Sequence, residues 1–124
     1  MQHATAKAYG TVAQQIANPR DLEATLLLKA AARLQAVHEN WDTGDTRQSL
    51  ANALTYNRKL WTIFVSAVTD SNHPLPPEIR QNIANLGIFV LKQTLTLVGE
   101  PSRDRLPSLI NINREIAAGL RGQG

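Results

Sequence analysis

Leu50–Val68, LANALTYNRKLWTIFVSAV, decides how the chain folds. Leu50, Leu54, Asn57, Trp61, Phe64 and Val68 follow one another in alternating steps of four and three. That is the repeat of one face of an α-helix. The spacing predicts a helix over about Arg47–Thr69, with Asn57 standing where a leucine would be expected. The last segment repeats the pattern with Leu106, Leu109 (or Ile110), Asn113, Ala117 and Leu120, so Asn113 also points inward. Each asparagine is followed by an arginine, Arg58 or Arg114. An amide on an apolar stripe must find partners or cost about 1–3 kcal/mol. Two readings follow. Asn57 and Asn113 satisfy backbone groups inside the bundle, as in capping a helix end, or they line a polar-walled groove that receives a partner helix or peptide.

Helical periodicity extends over nearly the whole chain. Gln2–Ala17 carries Tyr9, Val12, Ala13 and Ile16 on one face, weakened by Gly10. Asn18-Pro19-Arg20-Asp21 is a start signal: a capping side chain, a proline for the first turn and a negative charge beside it. The helix after it, to about Glu39 or Asn40, has a broad apolar face of Leu22, Leu26, Leu27, Ala30, Ala31, Leu34, Val37 and Trp41. Asp42–Asp45 is a loop, with Asp45 or Thr46 as the next cap. Pro74, Pro76 and Pro77 stiffen the loop after the third helix. The fourth helix, to about Leu97, is striped by Ile79, Ile83, Leu86, Val90 and Leu97, and Ile88, Phe89 and Leu91 widen that stripe. The fifth ends by Gly119, leaving residues 119–124 as a frayed tail. No strand signal stands out. The expected fold is all-α, a single-domain bundle of about five helices over residues 1–124, in which residues 1–17 form a mobile N-terminal helix.

Composition narrows the function. Thirteen basic and ten acidic side chains give a net charge of +3, scattered singly, which argues against nucleic-acid binding. Cysteine is absent, consistent with a reducing cytoplasm. No secretory leader or membrane-spanning run is expected. The histidines His3, His38 and His73 lack a second ligand at metal-binding spacing, so no metal is expected. The seven glycines lie singly, read as breaks between helices, and form no phosphate loop. Asp42 and Asp45 around Gly44 lack the remaining positions of a calcium loop. No nucleophile elbow occurs. The expectation is a non-enzymatic protein with no cofactor and no small-molecule substrate. Basic residues interleave with Tyr56 near Arg58 and Lys59, but Trp61 and Phe64 fall on the core stripe rather than among the charges.

Several stretches resemble the FlaF family of flagellar biosynthesis regulators. They are Pro19-Arg20-Asp21-Leu22-Glu23-Ala24 with Leu26–Ala31, Ala53–Phe64, Asn72-His73-Pro74-Leu75-Pro76 with Ile79–Ile83, and Leu109–Leu120. They cover most of the chain, in family order. The resemblance implies a small cytoplasmic protein of flagellated alphaproteobacteria, required for flagellin synthesis and secretion. It implies flagellin as the partner, bound by an export chaperone or adaptor, with the regulator FlbT and the flagellar export apparatus as further partners. Action through FlbT alone, or directly on mRNA, are the alternatives.

A helical protein can hold a partner helix by packing it into an apolar groove. The candidate partner-binding residues are Tyr9, Tyr56, Asn57, Arg58, Trp61, Leu75, Ile112, Asn113 and Arg114, with residues 1–17 as the segment that moves or orders on binding.

Overall fold

The computed structural model describes residues 18–122. Within them lie four α-helices: α1 (Pro19–Glu39), α2 (Thr46–Val68), α3 (Pro77–Gly99) and α4 (Leu106–Gly122), with a 3-10 turn at Arg103–Arg105. No strand occurs among the described residues. The all-α class holds. The count is four rather than about five, because the expected first helix, Gln2–Ala17, lies outside the described residues.

Local chemistry explains the ends. Asn18 Oδ1 accepts the Arg20 backbone N–H at 2.9 Å, and Pro19 opens α1. These are the start signals visible in the sequence. At the other end the Asn40 backbone N–H and its side-chain Nδ2 both donate to Ala36 O. Gly44 takes a φ of 57°, a left-handed conformation that glycine adopts freely. Asp45 occupies the cap position of α2 without a side-chain bond, while the Thr46 hydroxyl donates to Trp41 O. Between α2 and α3, Asp70 Oδ1 accepts the Asn72 N–H at 2.9 Å. Arg80 then binds the loop from within α3, donating to the carbonyls of Val68, Asp70 and Leu75. One guanidinium thus satisfies carbonyls that the end of α2 leaves without intrahelical donors.

Short loops make successive helices antiparallel. Arg121 near the end of α4 reaches Thr25 Oγ1 and Asp21 near the start of α1. Arg103 Nε, before α4, donates to His38 O near the end of α1. The chain therefore runs up, down, up and down. α1 packs most extensively on α4 and next on α2; α3 packs on α2 and touches α4 only lightly. Small residues Ala24, Ala30 and Ala31 on α1 and Ala117 on α4 are buried and admit this close approach. One apolar core joins all four helices, with Leu75 inserted from the loop.

Three expectations need correction. Leu22 is exposed and Leu26 only half-buried, so the apolar face of α1 is narrower than expected, while Trp41 packs against the core from beyond the helix end. α4 continues past Gly119 to Gly122, because Leu120 is buried in the core and holds the last turn down. Gly87 is not a break. It sits inside α3, where a Cβ would lie 2.2 Å from Val65 Cγ2 and 3.4 Å from Trp61 Cε3. Its missing side chain lets α2 and α3 approach closely.

Candidate functional site

Asn57 and Asn113 meet each other. Both are fully buried, and so is Trp61. The indole Nε1–H of Trp61 donates to Asn113 Oδ1 at 2.8 Å. An indole nitrogen can only donate, so this bond sets which end of the Asn113 amide carries the oxygen. Asn113 Nδ2 then donates twice, to Asn57 Oδ1 at 2.7 Å and to the Leu27 carbonyl at 3.2 Å. Asn57 Nδ2 is buried and has no hydrogen-bond partner. The junction thus couples α2 to α4 through two side chains, and α4 to the backbone of α1. Trp61 also packs edge-on to Phe64, with ring centroids 5.7 Å apart. Both asparagines lie in the interior, but only Asn113 reaches a backbone group, the Leu27 carbonyl; the other bonds join side chains, and neither residue caps a helix end.

The other expected contact residues are dispersed. Tyr56 is half-buried beneath α1, with the Arg33 guanidinium 4.2 Å and the Lys29 ammonium 6.0 Å from its ring centre. That is cation–π packing between neighbouring helices. Leu75 is buried in the core. Ile112 is half-buried against the core. Arg58 and Arg114 are exposed. Tyr9 lies outside the described residues. Asn57, Trp61 and Asn113 come together, but in the interior, where a partner cannot reach them without opening the bundle. The eight of these nine that fall among the described residues therefore do not line one groove.

The face that stands open lies elsewhere. Six large apolar side chains are prominently exposed among the described residues, and four of them, Ile88, Phe89, Leu95 and Val98, are on α3. The inner side of α3 buries Ile83, Gly87, Val90, Thr94 and Leu97. Ile88 and Phe89 do not widen the core stripe, as the sequence suggested; they face solvent. A helix apolar on both sides requires neighbours on both, and the described residues supply one main neighbour. Nearby, α2 and α3 form a recess lined by Arg47, Leu50, Ala51, Leu54, Leu97, Val98, Gly99 and Pro101. The signal for this face was present in the sequence as a second stripe, Ala84, Ile88, Leu91, Leu95 and Val98, running beside the first.

Other chemistry is sparse. His73 Nδ1 accepts the Leu75 N–H at 3.2 Å, while its Nε2 is buried without a partner. Burial, reinforced by nearby Arg20, holds the imidazole below its ordinary pKa. A recess between the end of α1 and the start of α2 is lined by Arg33, Asn40, Thr43, Thr46, Ser49 and Asn52 with three apolar neighbours. It contains no histidine or carboxylate and hence no acid–base pair. Among the described residues no group of three or more His, Asp or Glu is placed to hold a metal ion. None of the described helices is long and apolar enough to cross a membrane.

The described residues define a small all-helical fold with a polar tie in its interior and one apolar helix face that they leave uncovered. Residues 5–120 match the family model described as flagellar protein FlaF, and the chain belongs to that family. It is a flagellar protein, as the resemblance implied. No curated protein and no solved structure matches it.

Proposed function

We propose that this protein acts in the cytoplasm without catalysis, binding flagellin as a chaperone or adaptor that promotes flagellin synthesis and secretion. The observation that carries the reading is the apolar side of α3 that the described residues leave uncovered, in a chain of a flagellar family. Contiguous exposed apolar surface marks sites where proteins meet. Helix-in-groove packing is the form such a face supports: an amphipathic helix of the partner covers it and is itself kept from associating elsewhere.

The direct test is co-expression with flagellin and a FlbT homologue from the same bacterium, followed by purification and mass determination. A stable complex containing flagellin is expected. A complex with the FlbT homologue alone would transfer the role to a regulator acting through that protein. No complex at all would remove the chaperone reading.

A further inference from the structure

The face of α3 that the described residues leave open has a charge pattern as well as an apolar one. Ala84, Ile88, Leu91, Leu95 and Val98 are spaced four, three, four and three residues apart, the repeat of a helix–helix seam. Ile88 is 53% exposed, Leu95 71% and Val98 66%. The stripe extends over about 20 Å, roughly four turns of a partner helix.

Cations flank it on both sides. α2 and α3 are antiparallel, and their register is given by Gly87 against Val65 and by Val98 sharing a recess with Ala51. That register sets exposed Arg58 on α2 level with Leu91 and Leu95, and Arg47 beyond Val98. On the far side of the stripe is exposed Lys92, four residues after Ile88. Neither Thr46–Val68 nor Ile79–Gly99 contains a single aspartate or glutamate. Arg47, Arg58 and Lys92 are in no ion pair among the described residues.

We propose that this α2–α3 face is a docking surface for an amphipathic helix of a partner protein whose apolar stripe is flanked by carboxylates. Its leucine-like side chains would cover Ile88, Leu91, Leu95 and Val98, with its acids turned toward Arg58 on one side and Lys92 on the other. Charge selects this occupant. A second copy of the chain would bring the same cations to the same face. Residues 1–17 carry Lys7 and no carboxylate, so that segment supplies no acidic flank either. The proposal rests on the protein-binding reading above and adds where the partner sits and what chemistry it presents.

The test uses the full chain, labelled with ¹⁵N, and two helical peptides of about 20 residues, long enough to span those turns. Both have the same leucine stripe, one flanked by Glu and the other by Lys. The Glu-flanked peptide should bind about ten-fold or more tighter at low salt and lose that advantage as salt rises. Its resonance shifts should concentrate in residues 47–62 and 84–98. Arg58→Glu should narrow the preference, and Leu95→Asp should abolish binding of both peptides with an unchanged melting curve. Equal binding of the two peptides, no binding of the Glu-flanked one, or shifts centred elsewhere would overturn the proposal. Flagellin separates the two levels of inference. If flagellin co-purifies equally well with Leu95→Asp, this surface is wrong and the chaperone reading stands. If the Glu-flanked peptide docks here but flagellin does not bind, the surface stands and its partner is another protein.

Discussion

The junction among α1, α2 and α4 and the outer face of α3 begin from the same kind of sequence, apolar positions recurring at helical spacing, and reach opposite ends. In the junction the pattern is interrupted by two amides, and the interruptions are buried. On α3 the pattern is almost uninterrupted, and much of it is exposed. Polarity in an inward stripe thus marks where this molecule joins itself, whereas excess apolarity marks a face that the described residues leave without a neighbour. Buried polar pairs need matched partners in one geometry, so they specify how helices assemble more than they strengthen the assembly.

The largest expected effect comes from breaking the junction. Asn113→Ala removes the acceptor for the Trp61 N–H and the donor to Asn57 Oδ1 together. Each orphaned buried group costs about 1–3 kcal/mol, so a loss of about 3 kcal/mol or more is expected. That corresponds to a fall of roughly 10–20 °C in Tm. The triple variant Asn57→Leu, Trp61→Phe, Asn113→Leu removes donors and acceptors together, and it should be more stable than Asn113→Leu alone. Thermal melts of the two would decide. A triple variant less stable than the single one would mean that the amides matter for shape rather than hydrogen bonding.

Next comes Trp61→Phe, which keeps most of the ring's packing and withdraws only the donor to Asn113. A loss of about 2 kcal/mol is expected, combining an unsatisfied amide oxygen with a small cavity. Urea denaturation should show a lower midpoint at unchanged slope. An unchanged midpoint would mean that the indole bond adds nothing net.

Gly87→Ala follows, at the contact that joins the two regions. The added Cβ would collide with Val65, forcing α2 and α3 apart at a cost of about 1–3 kcal/mol. Better helix propensity offsets this by about 1 kcal/mol. A net loss is expected, with faster amide exchange in α3 than in α1. A gain in stability would show that Val65 moves aside freely.

How much of this could be read beforehand follows from what periodicity measures. It reports which side of a helix is apolar, so the inward placement of Asn57, Trp61 and Asn113 was legible, as were the Asn18-Pro19 start of α1 and the proline-rich loop. It does not report how helices pair. That Asn57 meets Asn113 depends on α2 and α4 lying at matching heights, which no local pattern encodes. Nor does it count neighbours: Ile88 and Phe89 read as a wider core stripe because an apolar side chain carries no mark of whether another helix lies over it. Gly87 looked like a break because a glycine's use in close packing appears only once Val65 is opposite. Arg80, which closes the α2–α3 loop, had no sequence signal beyond being one arginine among several.

Leu95→Asp tests the other half of the comparison. Its side chain is largely in solvent, so the stability change should stay within about 0.5 kcal/mol. If the variant unfolds, α3's outer face is covered in the folded protein, and the contrast between a closed junction and an open face disappears.

The smallest effect is expected from His73, where the loop before α3 meets the start of α1. The ring accepts the Leu75 N–H at Nδ1, which requires the neutral form with its proton on Nε2. Burial is the main cause of its lowered pKa; Arg20 and Arg80 add to it, and Glu23 and Asp70 oppose it. An unfolded histidine titrates near 6.5. The unfolded chain therefore takes up the proton more readily than the folded one. The contribution is fully present above 6.5 and is lost as pH falls through the lower folded value. His73→Asn keeps an acceptor in nearly the same place and removes the titration. Melting temperatures at about pH 7.5 and about pH 5.5 should therefore fall further for the natural protein than for His73→Asn. The added amide exchange should appear in residues 69–80 and the first turn of α1, not at the Asn57–Asn113 junction. Equal falls for both proteins would place the pH response elsewhere. A response centred on the junction would show that the loop and the interior open together, and that the two regions are one cooperative unit.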